Sequence, residues 1–368
     1  MTDALALFDA DLTPATEAIA EPVAARPARR PLATDRGAKP TLLAVDGNAL
    51  VHRAFHAYRG TTGGARYGFF ALLSVVCDQV AYDGLVIGFD CRARSHRRAR
   101  YADYKAQRPD KHEQLDAALD ELPTIAADMG AYVVVAEGWE GDDVVASAAT
   151  VAEAAGWACV VASPDRDLLA LVSRDTVVLQ VGAARPIRRV TAADFRRRHR
   201  ISPQQYLQLA ALRGDASDNL PGITGIGAKK AAELLRTYAT VADAVADPLG
   251  CRSVLGPELG QALIDDLAAG DASVFRRNVD LMTLHREVPI DLARSGRCVT
   301  PDEILTVLRR WRMTGLHARM CAALAVRPDH AEAPPVSDDD VPDPAADLVA
   351  GVPVDIPPVS DADAPPPL

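Results

Sequence analysis

The stretch 133–149, VVVAEGWEGDDVVASAA, carries an apolar run into Glu140, Asp142 and Asp143 and then passes into a small-residue segment with helical character. Three carboxylates so close together repel one another unless positive charge collects them. Further acids follow other apolar runs: Asp46 after LLAV, Asp90 after LVIGF, and Asp165 with Asp167 in SPDRDLL. Another pair, Asp215 and Asp218, stands in RGDASDNLPGITGIGAKKAAELL. Hard divalent cations such as Mg2+ or Mn2+ favour oxygen donors of this kind. Two of them side by side can activate water and stabilise the leaving oxygen in phosphodiester cleavage. Taken singly, each acid reads equally well as a helix cap: Asp142 and Asp143 stand in a first turn, and Ser163 offers an N-cap. Their convergence at the mouth of one sheet is what favours the metal reading.

Carboxylates alone would repel a polyanionic substrate, so the bases matter as much. Residues 92–111, RARSHRRARYADYKAQRPDK, hold eight Arg/Lys against two Asp. Arg97, Tyr101, Lys105 and Arg108 recur at a spacing that predicts one face of a helix, with Tyr101 and Tyr104 offering rings for bases to stack on. A solvated charged helix is the plainer reading. A second basic run, 185–200, extends the same character. In the 214–236 segment, Gly225 and Gly227 permit a tight turn that exposes backbone N–H groups at a helix start, and Lys229 and Lys230 add charge. Such a hairpin grips a nucleic-acid backbone without reading bases. A plain turn between two helices is the alternative. It is not a Walker loop, because no Ser or Thr follows the lysine.

The elements that must position these groups are legible as alternation. Apolar runs at 42–45, 85–89, 132–136, 158–162 and 176–181 read as strands, with helical segments at roughly 66–82, 112–129 and 141–155 between the earlier ones. This pattern predicts a parallel sheet covered on both faces, with ligands beyond the carboxyl ends of its strands. After about residue 200 the expectation is helices joined by glycine-rich turns, without further strands. The net charge of −10 is confined to the ends: residues 328–368 hold ten Asp/Glu, no Lys/Arg and 11 of the 26 prolines, and 1–39 carry −1, which leaves 40–327 at +1. The two end segments read as disordered. Six scattered cysteines with no C-x-x-C pair argue against a disulfide framework or zinc knuckle. No leader-like N-terminus or membrane-length apolar run is present. Those features predict a cytoplasmic, nucleoid-associated protein with no membrane contact.

In order along the chain, LLAVDGNALVHRAFHA, FDCRARSHRRARYADYKAQR, GWEGDDVVAS, SPDRDLLAL and RGDASDNLPGITGIGAKKA resemble the flap endonuclease and 5'-3' exonuclease family, in its bacterial branch. The likeness covers about residues 41–290. It implies a PIN-like α/β nuclease fold, with a parallel sheet flanked by helices and a helical arch at about 92–112 within residues 40–200. A helical helix-three-turn-helix subdomain then follows over 201–327. It further implies metal ligands at Asp46, Asp90, Glu140 and Asp142 for one ion and at Asp165, Asp167 and Asp218 for the other, with Asp143 and Asp215 as additional acids. Lys105 and Arg108 match arch residues that contact the scissile phosphate, and Arg97 matches another arch base. The resemblance implies two Mg2+ or Mn2+ ions and a potassium ion in the hairpin. It implies branched, 5'-flap or nicked DNA as substrate, RNA-primed DNA included, for a monomeric enzyme. His52 stands where the family stacks an aromatic on the terminal base, which predicts weaker or pH-dependent stacking. The segment between His56 and Tyr67 is several residues shorter than is typical. Near the start, ALALF at Ala4–Phe8 resembles peptides that dock on the bacterial sliding clamp, with Ala where Gln is usual.

Two rival readings are weaker. A catalytically silent, structure-specific DNA-binding protein of the same fold would have lost one or more acids, and none is missing. An aspartyl phosphatase would carry a second Asp two positions after Asp46, where Asn48 stands.

Overall fold

The computed structural model describes residues 39–59, 61, 63–181 and 187–326, so the Ala4–Phe8 motif and the acidic segment 328–368 lie outside the described residues. Six strands form one sheet: β1 (Thr41–Asp46), β2 (Gly84–Phe89), β3 (Tyr132–Val135), β4 (Ala158–Ala162), β5 (Thr176–Gln180) and β6 (Arg188–Val190), in the order β3-β2-β1-β4-β5-β6. The first five are parallel, as their apolar runs predict. The sixth was not expected. It is antiparallel to β5 and exposes Arg188 and Arg189, a polar pattern that suits an edge strand.

Helices α1 (Gly47–Ala57), α2 (Gly64–Asp78), α3 (His96–Arg100), α4 (Glu113–Asp128) and α5 (Gly141–Ala154) belong to the sheet half of the molecule. The remainder is helical: α6 (Ala192–His199), α7 (Tyr206–Arg213), α8 (Ala228–Thr237), α9 (Val241–Ala246), α10 (Pro248–Leu255), α11 (Pro257–Ala268), α12 (Val274–Met282), α13 (Pro301–Arg310) and α14 (His317–Leu324). A two-residue strand pair, Gly214–Asp215 with Leu220–Pro221, closes the loop that follows α7 and departs from the all-helical expectation.

Two buried clusters flank the sheet. One joins α5 to the later helices through Val145, Leu209, Leu212 and Leu234; the other joins α1, α2, α4, α13 and α14 through Leu50, Phe69, Leu122 and Leu308. Because both faces are covered, Val45, Ile87 and Val161 are fully buried, and the strands read as continuous apolar runs. All six cysteines are free thiols. Among the described residues no helix is long and apolar enough to cross a membrane.

One element differs sharply from its sequence reading. The basic stretch is not a continuous helix: α3 ends at Arg100, Tyr101 is extended, and Lys105 lies in the left-handed region at φ 56. Tertiary bonds account for the break. The 103–108 turn bonds the loop after α7, through Lys105 N–H to the Asp218 carbonyl (2.9 Å) and Asn219 Nδ2 to the Asp103 carbonyl (2.8 Å).

Candidate active site

Each acid sits where a strand ends or a helix begins. Asp46 closes β1 and caps α1, accepting from Ala49 N–H at 3.0 Å, while Ser163 Oγ at the end of β4 donates to it at 2.7 Å. Ser163 is therefore not a helix N-cap as its sequence context suggests; it also accepts from Asp165 N–H and so ties two strand ends together. Asp90 follows β2 and accepts from Gly141 N–H at 2.8 Å, while its own amide donates to Asn48 Oδ1. Gly141 permits this approach, since a Cβ there would stand 3.1 Å from the Gly88 carbonyl oxygen and 3.3 Å from Asp90 Oδ1. Glu140 and Asp143 form a reciprocal capping box at the start of α5. The capping reading thus holds for Asp46, Glu140 and Asp143.

Burial and mutual repulsion dominate the electrostatics. Burial pushes Asp46 up to about 7, with Asp90 and Asp165 adding to the effect. Asp167 is also raised to about 7 by burial and by Asp165 and Asp215, against the pull of Arg213. Asp90, Asp142 and Asp165 are raised chiefly by burial as well. Glu140 goes the other way: against the burial that would raise it, Lys105 and Arg97 hold it at about 2.

The arch cations fill the mouth. Lys105 Nζ lies 2.7 Å from Glu140 and 4.0 Å from Asp218, so one ammonium spans carboxylates from the sheet half and from the helical half. Arg108 meets Asp218 at 2.7 Å. Among the described residues no three His, Cys, Asp or Glu side chains are already drawn together as a metal cluster. The donor set nevertheless fits divalent cations, because it is all carboxylate and its members raise one another's proton affinity.

The other expected site residues vary in their surroundings. Arg97 is 5% exposed; it bonds both oxygens of Asp143 at 2.9 and 2.7 Å, lies 3.2 Å from Asp142 and 3.3 Å from Glu140, and also reaches the Leu281 carbonyl at 2.8 Å. Tyr104 is buried, its hydroxyl donating to Glu140, so it offers no face for a base. Tyr101 is half-buried under the Arg277 guanidinium, 4.9 Å from the ring centre. Burial and the nearby Lys111 and Arg108 lower His52 to about 4, which leaves its ring neutral near pH 7. Asp215 is spent on its own turn, accepting from Ser217 N–H and Oγ. In the hairpin only Gly225 uses left-handed backbone, at φ 81; Gly227 is extended, caps α8, and has no neighbour within 4 Å of a built Cβ. Lys229 is exposed, and Lys230 pairs with Glu233 at 3.3 Å. Sequence reasoning missed Asn48, Ser95 and Arg213. Ser95 donates to Glu140 at 2.9 Å, and only its place just before α3 hinted at a role.

Residues 41–200 match the 5'-3' exonuclease N-terminal resolvase-like domain, and residues 201–302 match the 5'-3' exonuclease C-terminal SAM fold. The 5'-3' exonuclease of Aquifex aeolicus is 33% identical over 209 residues, which is 55% of this chain and 71% of that protein. The chain belongs to the 5'-3' exonuclease family. Within the family's wider reach, DNA polymerase I of Mycobacterium tuberculosis is 35% identical over 290 residues, 76% of this chain. The chain spans 30% of that relative's length. The bacteriophage T5 D15 protein co-crystallised with metal ions shares the fold, with a TM-score of 0.55 at 19% identity over 76% of this chain and 99% of the phage protein. The zinc-bound T5 5'-exonuclease gives 0.54 at 21%, with the same coverage.

Proposed function

We propose that this chain is a structure-specific 5' nuclease that hydrolyses DNA phosphodiester bonds at single-strand to duplex junctions and so removes 5' flaps or primers. One observation carries the reading: Lys105 reaches Glu140 of the sheet half and Asp218 of the helical half at once, so a single cation bridges the two proposed ligand sets. Asp46, Asp90, Glu140 and Asp142 would hold one divalent cation, and Asp165, Asp167 and Asp218 the other, with Mg2+ or Mn2+ the fitting ions. When bound, the cations supply Lewis acidity toward the scissile phosphate and an activated water. The T5 5'-exonuclease with bound zinc and the T5 D15 flap endonuclease in complex with DNA and metal ions support the assignment.

The chain's own groups would act as follows. Lys105 and Arg108 transfer their hydrogen bonds from Glu140 and Asp218 to the phosphoryl oxygens and offset the charge that develops there. The α8 N-terminus, open in front of Gly227, receives a backbone phosphate of the duplex, with Lys229 beside it. A potassium ion at that turn belongs to the same reading. Arg97 and Asp143, paired at the start of α5, fix Glu140 and Asp142 in place. The deciding experiment is Asp167→Asn on a labelled 5'-flap duplex with Mg2+. Retained binding with cleavage lost supports the reading, and cutting at wild-type speed overturns it.

A further inference from the structure

A cleft of about 700 Å³ lies between α6, the following turn and the carboxyl end of α8, lined by Arg196, Arg197, Arg200, Gln205, Arg236 and Tyr238. Arg197 pairs with Asp194 at 2.5 Å. Arg196, Arg200 and Arg236 are exposed and have no carboxylate partner among the described residues. In the arch stretch, by comparison, six of the eight bases, Arg92, Arg94, Arg97, Arg100, Lys105 and Arg108, each meet an acid. The cleft floor is fixed, because Gln205 Nε2 donates to the carbonyls of Leu235, Tyr238 and Ala239 at the end of α8. Three such guanidinium groups on a fixed concave floor call for a polyanion.

Two polyanions are in play, a nucleic-acid backbone and the chain's own acidic segment. The hairpin and Lys229 stand at the amino end of α8, whereas the cleft stands at its carboxyl end, about 15 Å along the axis. The two cationic surfaces therefore lie at opposite ends of one helix. The chain's own residues 328–368 supply ten Asp/Glu with no Lys/Arg, densest at Asp338, Asp339, Asp340 and Asp343. A chain of that length reaches roughly 140 Å when fully extended. A body of this size has a radius of gyration of about 19 Å. Tethering raises the segment's effective concentration to the order of millimolar, so modest ion pairs suffice to seat it.

We propose that the arginine cleft between α6 and α8 is the docking site of the chain's own acidic segment, seated through residues 338–343. Docking there holds ten negative charges away from Lys229 and Arg108, where they would compete with substrate phosphates; this consequence alone rests on the proposed function.

The test is amide hydrogen exchange on the full chain, compared with a variant carrying Asp338→Asn, Asp339→Asn, Asp340→Asn and Asp343→Asn. Exchange across 196–200 and 235–239 should become severalfold faster in the variant and in about 0.5 M salt, where charge pairs are screened, while 224–232 stays unchanged. Equal exchange in the two chains overturns docking. Protection that appears only when a duplex of about 20 base pairs is added also overturns it and makes the cleft a nucleic-acid surface. A binding assay gives an independent check. Arg196→Ala, Arg200→Ala and Arg236→Ala together should weaken flap-DNA binding severalfold in the full chain and leave it unchanged once the four aspartates are neutralised. Equal weakening in both backgrounds refutes the proposal.

Discussion

Replacing Arg97 by alanine should cost about 3–5 kcal/mol of folding stability, the range for stranding one member of a buried ion pair. Arg97 is 5% exposed and Asp143 1%, and the two meet through paired bonds of 2.9 and 2.7 Å. The same guanidinium reaches the carbonyls of Leu281 at 2.8 Å and Thr283 at 3.3 Å, while Asp143 accepts from the amides of Glu140 and His285. Ser147 continues the seam by accepting from Val288 N–H at 3.0 Å. The pair therefore ties the segment after α12 to the start of α5. Truncation leaves Asp143 charged, buried and without its cation, and it frees two carbonyls. Arg97→Lys should recover only part of the loss, because an ammonium cannot make the forked contact. Arg97→Met combined with Asp143→Asn should cost less than the sum of the single changes, since no lone charge remains. Urea unfolding followed by circular dichroism gives the stabilities, and amide exchange over 283–288 shows whether the seam opens. If Arg97→Ala unfolds within about 1 kcal/mol of the wild type, the pair does not clamp the two halves and the reasoning fails.

The acid pocket should make the metal-free protein sensitive to pH. Asp46 and Asp167 are raised to about 7, above their unfolded values, so the stability they contribute is full below about pH 4 and lost as pH rises through 7. Every tenfold difference in proton affinity between the folded and unfolded chains is worth about 1.4 kcal/mol. Thermal unfolding with chelator should show a melting temperature that falls from pH 5 to 8, and added Mg2+ should remove most of the slope. Lys105→Ala should lower kcat about 10²- to 10³-fold, the scale for losing one electrostatic stabiliser, with a smaller change in flap affinity measured by anisotropy. Gly225→Ala should destabilise the hairpin by about 1–2 kcal/mol, because φ 81 disfavours a side chain and a Cβ would meet Leu259 at 2.7 Å. Gly227→Ala should leave the melting curve unchanged, since its Cβ meets nothing, yet weaken duplex binding. His52→Phe should alter product lengths without shifting the pH profile near 6.5, because the His52 ring is already neutral there.

Sequence alone determined the scaffold and the inventory of charges. Strands β1 to β5 were legible because a sheet covered on both faces demands unbroken apolar runs, and Asp46, Asp90 and Glu140 were legible because they follow such runs. The Gly225 turn showed itself through its residue type. Strand β6 was hidden, since an exposed three-residue edge strand of arginines has no apolar pattern to betray it. The tertiary structure decided which charge meets which. Spacing placed Arg97, Tyr101, Lys105 and Arg108 on one helical face, but the chain leaves the helix after Arg100 and the 216–219 loop bonds the 103–108 turn, so that Lys105 and Arg108 converge on Asp218 while Tyr101 packs under Arg277. Arg97 and Lys105 are both arch bases in the sequence, yet one is sealed against Asp143 and the other stands over Glu140 and Asp218. Local periodicity records which residues face the core. The pairing of charges distant in the chain depends on loop closure and burial, which only the folded molecule fixes.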